Sequence, residues 1–122
     1  MGMKTAPLIL VVDDEEPVVT VISHGLERAG YKVISATSAY EAFRVWTNEI
    51  TLVLSDSVAP DPYGNHLTVE LLRRKPELKL IFMSGSPIDS FNPGIPLRKD
   101  SNFIQKPFGI QELLSLVRST LA

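Results

Sequence analysis

The chain has 122 residues, and with 12 Lys and Arg against 14 Asp and Glu its formal net charge is −2. Hydrophobic residues make up 44% of the chain, enough for the core of one globular domain that needs no disulfide or metal to fold. The absence of cysteine excludes a thiolate zinc site, an iron–sulfur cluster and a cysteine nucleophile, and the mild acidity argues against direct nucleic-acid binding.

No segment has the features of a membrane span or of a signal peptide. The longest strongly apolar run, residues 7–12, is far shorter than the ~20 residues that cross a bilayer. No charged region, apolar region and cleavage site follow one another in the order that a signal peptide requires. We therefore expect a cytoplasmic protein without membrane contact, in which residues 1–6 are an extension and residues 7–122 form one domain.

Short apolar runs typical of buried strands alternate along the chain with amphipathic stretches typical of helices. Pro17 suits a first helical turn, Gly30 suits a helix end, and Ser38 with Glu41 forms a capping box. The prediction in chain order is strand 8–12, helix 17–30, strand 31–36, helix 38–46, strand 51–55, helix 64–74, strand 80–83, strand 103–105 and helix 110–121.

The alternation amounts to five strand–helix units, which predicts an α/β fold with a parallel sheet covered by helices on both faces. One unit is weak, because Pro87, Pro93 and Pro96 interrupt the segment between the fourth and fifth strands. The fourth helix, which would lie in that segment, is therefore expected to be short, irregular or missing.

Side chains able to carry chemistry follow four of the five predicted strands. Asp13 and Asp14 follow the first, Asp56 the third, Ser84 the fourth and Lys106 the fifth. Parallel strands end at one edge of the sheet, where ligands of open α/β sheets bind, so these side chains should converge. Three converging carboxylates favour a hard cation such as Mg²⁺, and a lysine suits an anionic oxygen. The set contains the parts that phosphoryl transfer needs, with one carboxylate as nucleophile.

Four motifs in a fixed order carry a family resemblance. They are Val-Val-Asp-Asp-Glu at 11–15, Leu-Ser-Asp at 54–56 with Pro60 and Gly64, Met-Ser-Gly at 83–85, and Phe-Ile-Gln-Lys-Pro-Phe at 103–108. With them, almost the whole chain resembles the receiver domain of two-component response regulators, and it is similar in particular to receivers attached to hybrid histidine kinases. The resemblance implies a flavodoxin-like, doubly wound (βα)5 sandwich with five parallel strands in the order 2-1-3-4-5.

The resemblance also implies a phosphorylation site that binds a metal ion. Asp56 matches the aspartate that accepts the phosphoryl group. Asp13 and Asp14 match the acidic pair that binds Mg²⁺, Asp14 directly and Asp13 largely through water. Asp56 and the main-chain carbonyl of Val58 would complete the protein ligands.

Further positions match the residues that read out phosphorylation in this family. Ser84 matches the hydroxyl residue that turns toward the phosphoryl group, and Lys106 matches the lysine that pairs with a phosphoryl oxygen. Phe103 matches the aromatic rotamer switch. The bond between Lys106 and Pro107 is expected to be cis, which an X–Pro bond allows.

The function implied is a signalling switch that catalyses its own phosphorylation and dephosphorylation, and not an enzyme in the usual sense. A sensor histidine kinase or a histidine phosphotransfer domain would donate the phosphoryl group. The surface around the fourth and fifth strands and the last helix would then bind a downstream protein, which the sequence does not identify. The protein could form a homodimer through the last helix, and the sequence does not decide this point.

Two other classes of function remain as alternatives. The same fold could be a protein-interaction module that works without phosphorylation, an alternative that the loss of Asp56 or Lys106 would have favoured. A flavodoxin-like cofactor binder or a phosphatase of the same layered architecture is the other. Asp13 and Asp14, taken alone, could simply cap the next helix, since acids favour helix N-termini.

Overall fold

The computed structural model describes residues 6–56, 67–85, 97–99 and 101–122. In this part of the chain five strands and four helices follow one another. They are β1 (Leu8–Val12), α1 (Glu16–Arg28), β2 (Lys32–Ala36), α2 (Ala39–Val45), β3 (Ile50–Ser55), α3 (Leu67–Arg74), β4 (Lys79–Ser84), β5 (Phe103–Gln105) and α4 (Ile110–Leu121).

The five strands form one parallel sheet in the order β2-β1-β3-β4-β5, which confirms the order implied by the resemblance. The central strand β1 lies between β2 and β3, and Val12 at its end is paired with Ala36 on one side and Ser55 on the other. The three strands therefore end level with one another. The next residues of β1 and β3, Asp13 and Asp56, leave the sheet side by side.

Buried side chains form one cluster on each face of the sheet, because successive residues of a strand point to opposite faces. On one face Ile9 and Val11 of β1 pack with the apolar stripes of α1 and α4, including Ile22 and Leu113. On the other face the buried residues include Leu10, Val12, Ala42, Leu71 and Phe82, so that α2 and α3 cover the sheet there. Helices on both faces were predicted, and the prediction is confirmed.

Local signals in the sequence fix several helix ends. The Ser38 hydroxyl accepts a hydrogen bond of 3.0 Å from the Glu41 main-chain N–H, as the capping box predicts. Gly30, just beyond α1, has a φ of 100°, a left-handed conformation that favours glycine. The second helix ends at Val45 rather than at Trp46, because the Trp46 backbone is already non-helical, with a ψ of 136°.

Two expectations fall partly or wholly outside the described residues. The start of the third helix was predicted at residue 64, and the described part of α3 begins at Leu67. The short or irregular fourth helix was placed between β4 and β5, where residues 86–96 and 100 lie outside the description. The label α4 therefore belongs to the last helix. None of the described helices is both long and apolar enough to span a bilayer.

Candidate functional site

The sheet ladder holds the main chain of three candidate residues at its carboxyl edge. The Asp13 N–H donates to the carbonyl of Ala36 at 3.2 Å, and the Asp56 N–H donates to that of Val12 at 2.9 Å. The Lys106 N–H donates to the carbonyl of Ser84 at 2.7 Å, next to the register pair that joins Ser84 to Gln105. Regular hydrogen bonding along the five strands therefore brings these residues to one edge, as predicted from the sequence.

Asp13 is fully buried, and both of its carboxylate oxygens have partners from the protein. Oδ1 accepts a hydrogen bond of 2.9 Å from the Glu15 main-chain N–H. Oδ2 lies 2.7 Å from the Lys106 ammonium, whose side chain is 24% exposed. A buried carboxylate is tolerated when it has a cation and further hydrogen bonds, and Asp13 has both. Its pairing ties the loop after β1 to the end of β5.

Asp56 is half-buried beside this pair. Its Oδ2 accepts a hydrogen bond of 3.2 Å from the main-chain N–H of Asp14. Burial, together with the negative charge of Asp13, raises the pKa of Asp56 from 3.8 to about 7. Burial and the neighbouring charge therefore favour the protonated form of Asp56, and a nearby positive charge would favour its carboxylate form.

The acidic groups at this edge provide ligands suited to a hard divalent cation. Carboxylate oxygens of Asp13, Asp14 and Glu15 all lie within 4.8 Å of one another, with Asp13 buried and the other two exposed. Asp56 adjoins them through its bond to the Asp14 N–H. Oxygen donors and an unbalanced negative charge both match Mg²⁺, so the residues fit the predicted metal.

One predicted ligand falls outside the described residues, and one further carboxylate lies in the acidic group. Val58, whose carbonyl was assigned to the metal, lies outside the described residues. Glu15 joins Asp13 and Asp14 in the acidic group, although the sequence interpretation used it only as part of a motif. The signal for it was present, since Glu15 continues the acidic run that starts at Asp13.

The two predicted switch residues lie on the neighbouring strands. Ser84 ends β4 and is half-buried, and its carbonyl receives the Lys106 N–H. Phe103 begins β5, is only 1% exposed, and belongs to the cluster under α2 and α3. The bond between Lys106 and Pro107 is cis, which confirms that expectation. Metal ligation at Asp13, Asp14, Asp56 and Val58 stays a prediction, as do the roles of Ser84 and Phe103.

Comparison with known families and structures agrees with this geometry. The model of a family described as the response regulator receiver domain matches residues 9–118. The chain belongs to this family. The receiver is 34% identical over 116 residues to the sensor kinase CckA of Brucella abortus (strain 2308), a match that covers 93% of the receiver and 12% of the kinase.

Response regulators are also among the similar proteins. It is 26% identical over 113 residues to the response regulator SaeR of Staphylococcus aureus (strain USA300), covering 93% of the receiver and 50% of SaeR. The receiver thus spans half or less of these curated relatives. A crystal structure of a CheY-like receiver domain protein from Methanospirillum hungatei JF-1 superposes with a TM-score of 0.78 at 28% identity, over 96% of this chain and 94% of that one.

Proposed function

We propose that this receiver accepts a phosphoryl group on Asp56, in a Mg²⁺-dependent transfer from a phospho-histidine donor. One arrangement carries the proposal, namely the half-buried Asp56 carboxylate at the end of β3, beside the pair of Asp13 and Lys106. A carboxylate, an acidic cation site and an ammonium group are the parts that phosphoryl transfer requires.

In the proposed transfer a carboxylate oxygen of Asp56 attacks the phosphorus atom. The bond from phosphorus to the imidazole nitrogen of the donor breaks, and the imidazole leaves with the electron pair of that bond. Asp14 holds Oδ2 of Asp56 through its main-chain N–H, which orients the carboxylate for attack. Mg²⁺, when held by Asp13, Asp14, Asp56 and the carbonyl of Val58, supplies charge neutralisation at the phosphoryl oxygens.

The new charge on Asp56 then acts on Lys106 and Ser84. The Lys106 ammonium exchanges Asp13 for a phosphoryl oxygen, while the Ser84 hydroxyl turns toward the phosphoryl group. These two residues are joined by the 2.7 Å main-chain hydrogen bond, so a shift of one displaces the other. Phe103, the first residue of β5, changes rotamer with them. The surface of β4, β5 and α4 then becomes competent to bind a downstream protein.

The phosphoryl donor is proposed to be a sensor histidine kinase or a histidine phosphotransfer domain. Support comes from the relatives, one of which is a sensor kinase and another a response regulator. In this scheme the receiver catalyses its own phosphorylation and dephosphorylation and has no separate substrate to turn over. It is a switch whose output is a change of protein partner.

The test is to incubate the receiver with Mg²⁺ and phosphoramidate, a small donor with the same phosphorus–nitrogen bond, and to measure intact mass. We expect one added phosphoryl group, which is lost when Mg²⁺ is chelated and in Asp56→Asn. Glu16→Gln, an exposed acid in the first turn of α1, is the matched control and should be phosphorylated normally. A phosphoryl group on the Asp56→Asn variant, or none on the wild type, would refute the proposal.

A second measurement tests the switch itself. Beryllofluoride with Mg²⁺ mimics the aspartyl-phosphate, and backbone amide shifts by NMR report where the response spreads. Shifts that start at Asp56 and reach Ser84, Lys106 and Phe103 are expected, and they should vanish in Asp56→Asn. If the site binds beryllofluoride while Phe103 and its neighbours stay still, the receiver is a phosphoryl relay and not a switch.

A further inference from the structure

A close contact joins α1 to the start of α4 on the face of the sheet that these two helices cover. Gly25 of α1 lies against the side chain of Ile110, the first residue of α4. A Cβ atom built on Gly25 would be 2.6 Å from Cδ1 and 2.7 Å from Cγ1 of Ile110. Carbon atoms in ordinary contact are about 3.5–4.0 Å apart, so a Cβ atom at position 25 would force either the Ile110 side chain to turn away or the two helices to move apart.

Conformational freedom does not explain glycine at this position. Gly25 lies inside the regular helix α1, which runs from Glu16 to Arg28, and its φ is not in the left-handed region. Helix propensity alone favours alanine over glycine in a helix interior. The close approach of the Ile110 side chain is thus the feature of the described structure that favours glycine at position 25.

Ile110 in turn anchors the segment that carries Lys106. Only three residues separate them, and all three lie in the connection from β5 to α4, residues 106–109. Phe108 and Ile110 both pack against the apolar cluster that contains Ile22 and Leu26 of α1. The segment is thus held at its β5 end by the bond of the Lys106 N–H to Ser84 and at its α4 end by contact with α1.

We propose that Gly25 is a positioning residue for Lys106. By accepting the side chain of Ile110, it sets how closely the start of α4 approaches α1, and thereby where the Lys106 ammonium lies at the carboxyl edge. The inference rests on the proposed function for its consequence, since Lys106 is the group that would meet the phosphoryl oxygen. Its structural part, the dependence of Lys106 on Gly25, stands without that function.

The size of the displacement makes the effect measurable. Restoring ordinary contact after a Gly25→Ala change requires a movement on the order of 1 Å at Ile110. Misplacement of a reacting group by about 1 Å can lower a rate by about 100-fold. Since part of the movement is absorbed before it reaches Lys106, we expect phosphorylation of Gly25→Ala to be slower by about tenfold.

The experiment is a double-mutant cycle on the full chain. Gly25→Ala, Ile110→Ala and the double variant are compared with wild type for the rate of phosphorylation by phosphoramidate with saturating Mg²⁺. Gly25→Ala should be slow in the native background and should change the rate less than about twofold in the Ile110→Ala background, because both clashing carbon atoms are then gone. A loss of the same size in both backgrounds would overturn the proposal.

A spectroscopic readout separates positioning from simple loss of stability. The side-chain nitrogen of Lys106, paired with Asp13 at 2.7 Å, should change its NMR shift in Gly25→Ala and not in Ile34→Ala, a destabilising control on β2. An unchanged Lys106 signal in folded Gly25→Ala would refute the inference. If Gly25→Ala does not fold, Ile110→Ala alone serves, since removal of the anchor should also shift Lys106, and a wild-type signal would count against us.

Failure of the proposed function gives a different pattern. If phosphoramidate does not modify the wild type, the phosphorylation proposal is refuted. Positioning would still be supported if the Lys106 signal shifts in Gly25→Ala and if Gly25→Ala adds no further shift in the Ile110→Ala background. Normal phosphorylation of wild type and of Gly25→Ala at equal rates leaves the function intact and removes the positioning role.

Discussion

The Asp13 carboxylate and the Lys106 ammonium, 93 positions apart in sequence, lie 2.7 Å from each other at the carboxyl edge of the sheet. Asp13 is wholly buried, so this pair is not a surface ion pair of negligible energy. The Lys106 ammonium compensates the negative charge of Asp13, which folding has removed from water. Removing one partner should therefore cost more than removing both.

Lys106→Met tests how much the pair of Asp13 and Lys106 contributes to stability. It keeps an apolar stem of similar length but leaves the buried Asp13 without its cation. We expect the free energy of unfolding to fall by about 3 kcal/mol, measured by urea denaturation at neutral pH.

The double variant Asp13→Asn/Lys106→Met supplies the control, because the neutral amide no longer needs the ammonium. It should recover at least half of the lost stability. Lys79→Met, which removes an exposed lysine at the start of β4, should stay within about 0.5 kcal/mol of wild type. A Lys106→Met variant as stable as Lys79→Met would show that the pair contributes nothing to folding.

The raised pKa of Asp56 predicts how stability depends on pH in the absence of metal. Because burial and the charge of Asp13 raise this pKa to about 7, the folded protein holds the Asp56 proton more tightly than the unfolded chain does. The stabilisation is complete below the unfolded pKa of 3.8 and is lost as the pH rises through about 7. Wild type should therefore lose stability between pH 4 and 7 in excess of what its other groups cause.

Asp56→Asn isolates this contribution, since the amide does not titrate. With a chelator present, we expect the variant to gain about 1–2 kcal/mol relative to wild type between pH 5 and pH 8, after allowance for solvent screening of a half-buried group. The comparison uses urea denaturation of both proteins at each pH. A difference between the two proteins that does not change with pH would mean that Asp56 titrates as an ordinary carboxyl.

Much of this site could be predicted before the structure. Asp13, Asp56 and Lys106 follow apolar runs, and parallel strands bring such residues to one edge whatever the details of packing. The pairing of Lys106 with Asp13 could not be predicted in the same way, because Asp56 lies at the same edge and only distances distinguish the two carboxylates. The contact of Gly25 with Ile110 was also missed, since it depends on how closely two helices approach.

Magnesium should stabilise the folded receiver if the acidic edge binds it. At a concentration tenfold above the dissociation constant, linkage predicts a gain of about 1.4 kcal/mol, seen as a higher melting temperature. Asp14→Asn should lose most of this gain, because it removes an exposed carboxylate from the group of three. Glu27→Gln, an exposed acid near the end of α1, should keep the full gain. Equal gains in both variants would place the cation elsewhere.

Lys75, directly after α3, is expected to stabilise the fold at the edge of the sheet opposite the acidic edge, where β3 begins. Its Nζ donates to the carbonyls of Asn48 and Ile50 at 2.8 and 2.7 Å, and so ties the end of α3 to the start of β3. Hydrogen bonds to charged groups contribute about 1.5–3 kcal/mol each when they are shielded from water, and this amine is half-buried. We expect Lys75→Met to lower the free energy of unfolding by about 2 kcal/mol.

Arg73, two residues earlier on α3, provides a matched comparison for Lys75. Its guanidinium lies 3.4 Å from the Glu70 carboxylate, but its side chain is 75% exposed. Solvent and salt screen such a pair, so Arg73→Ala should cost less than about 0.5 kcal/mol by the same urea titration. Both variants remove one positive charge near the same helix end, so the change in net charge is the same in both. If the two lose equal stability, the bonds of Lys75 to the β3 backbone carry no more energy than a solvated ion pair.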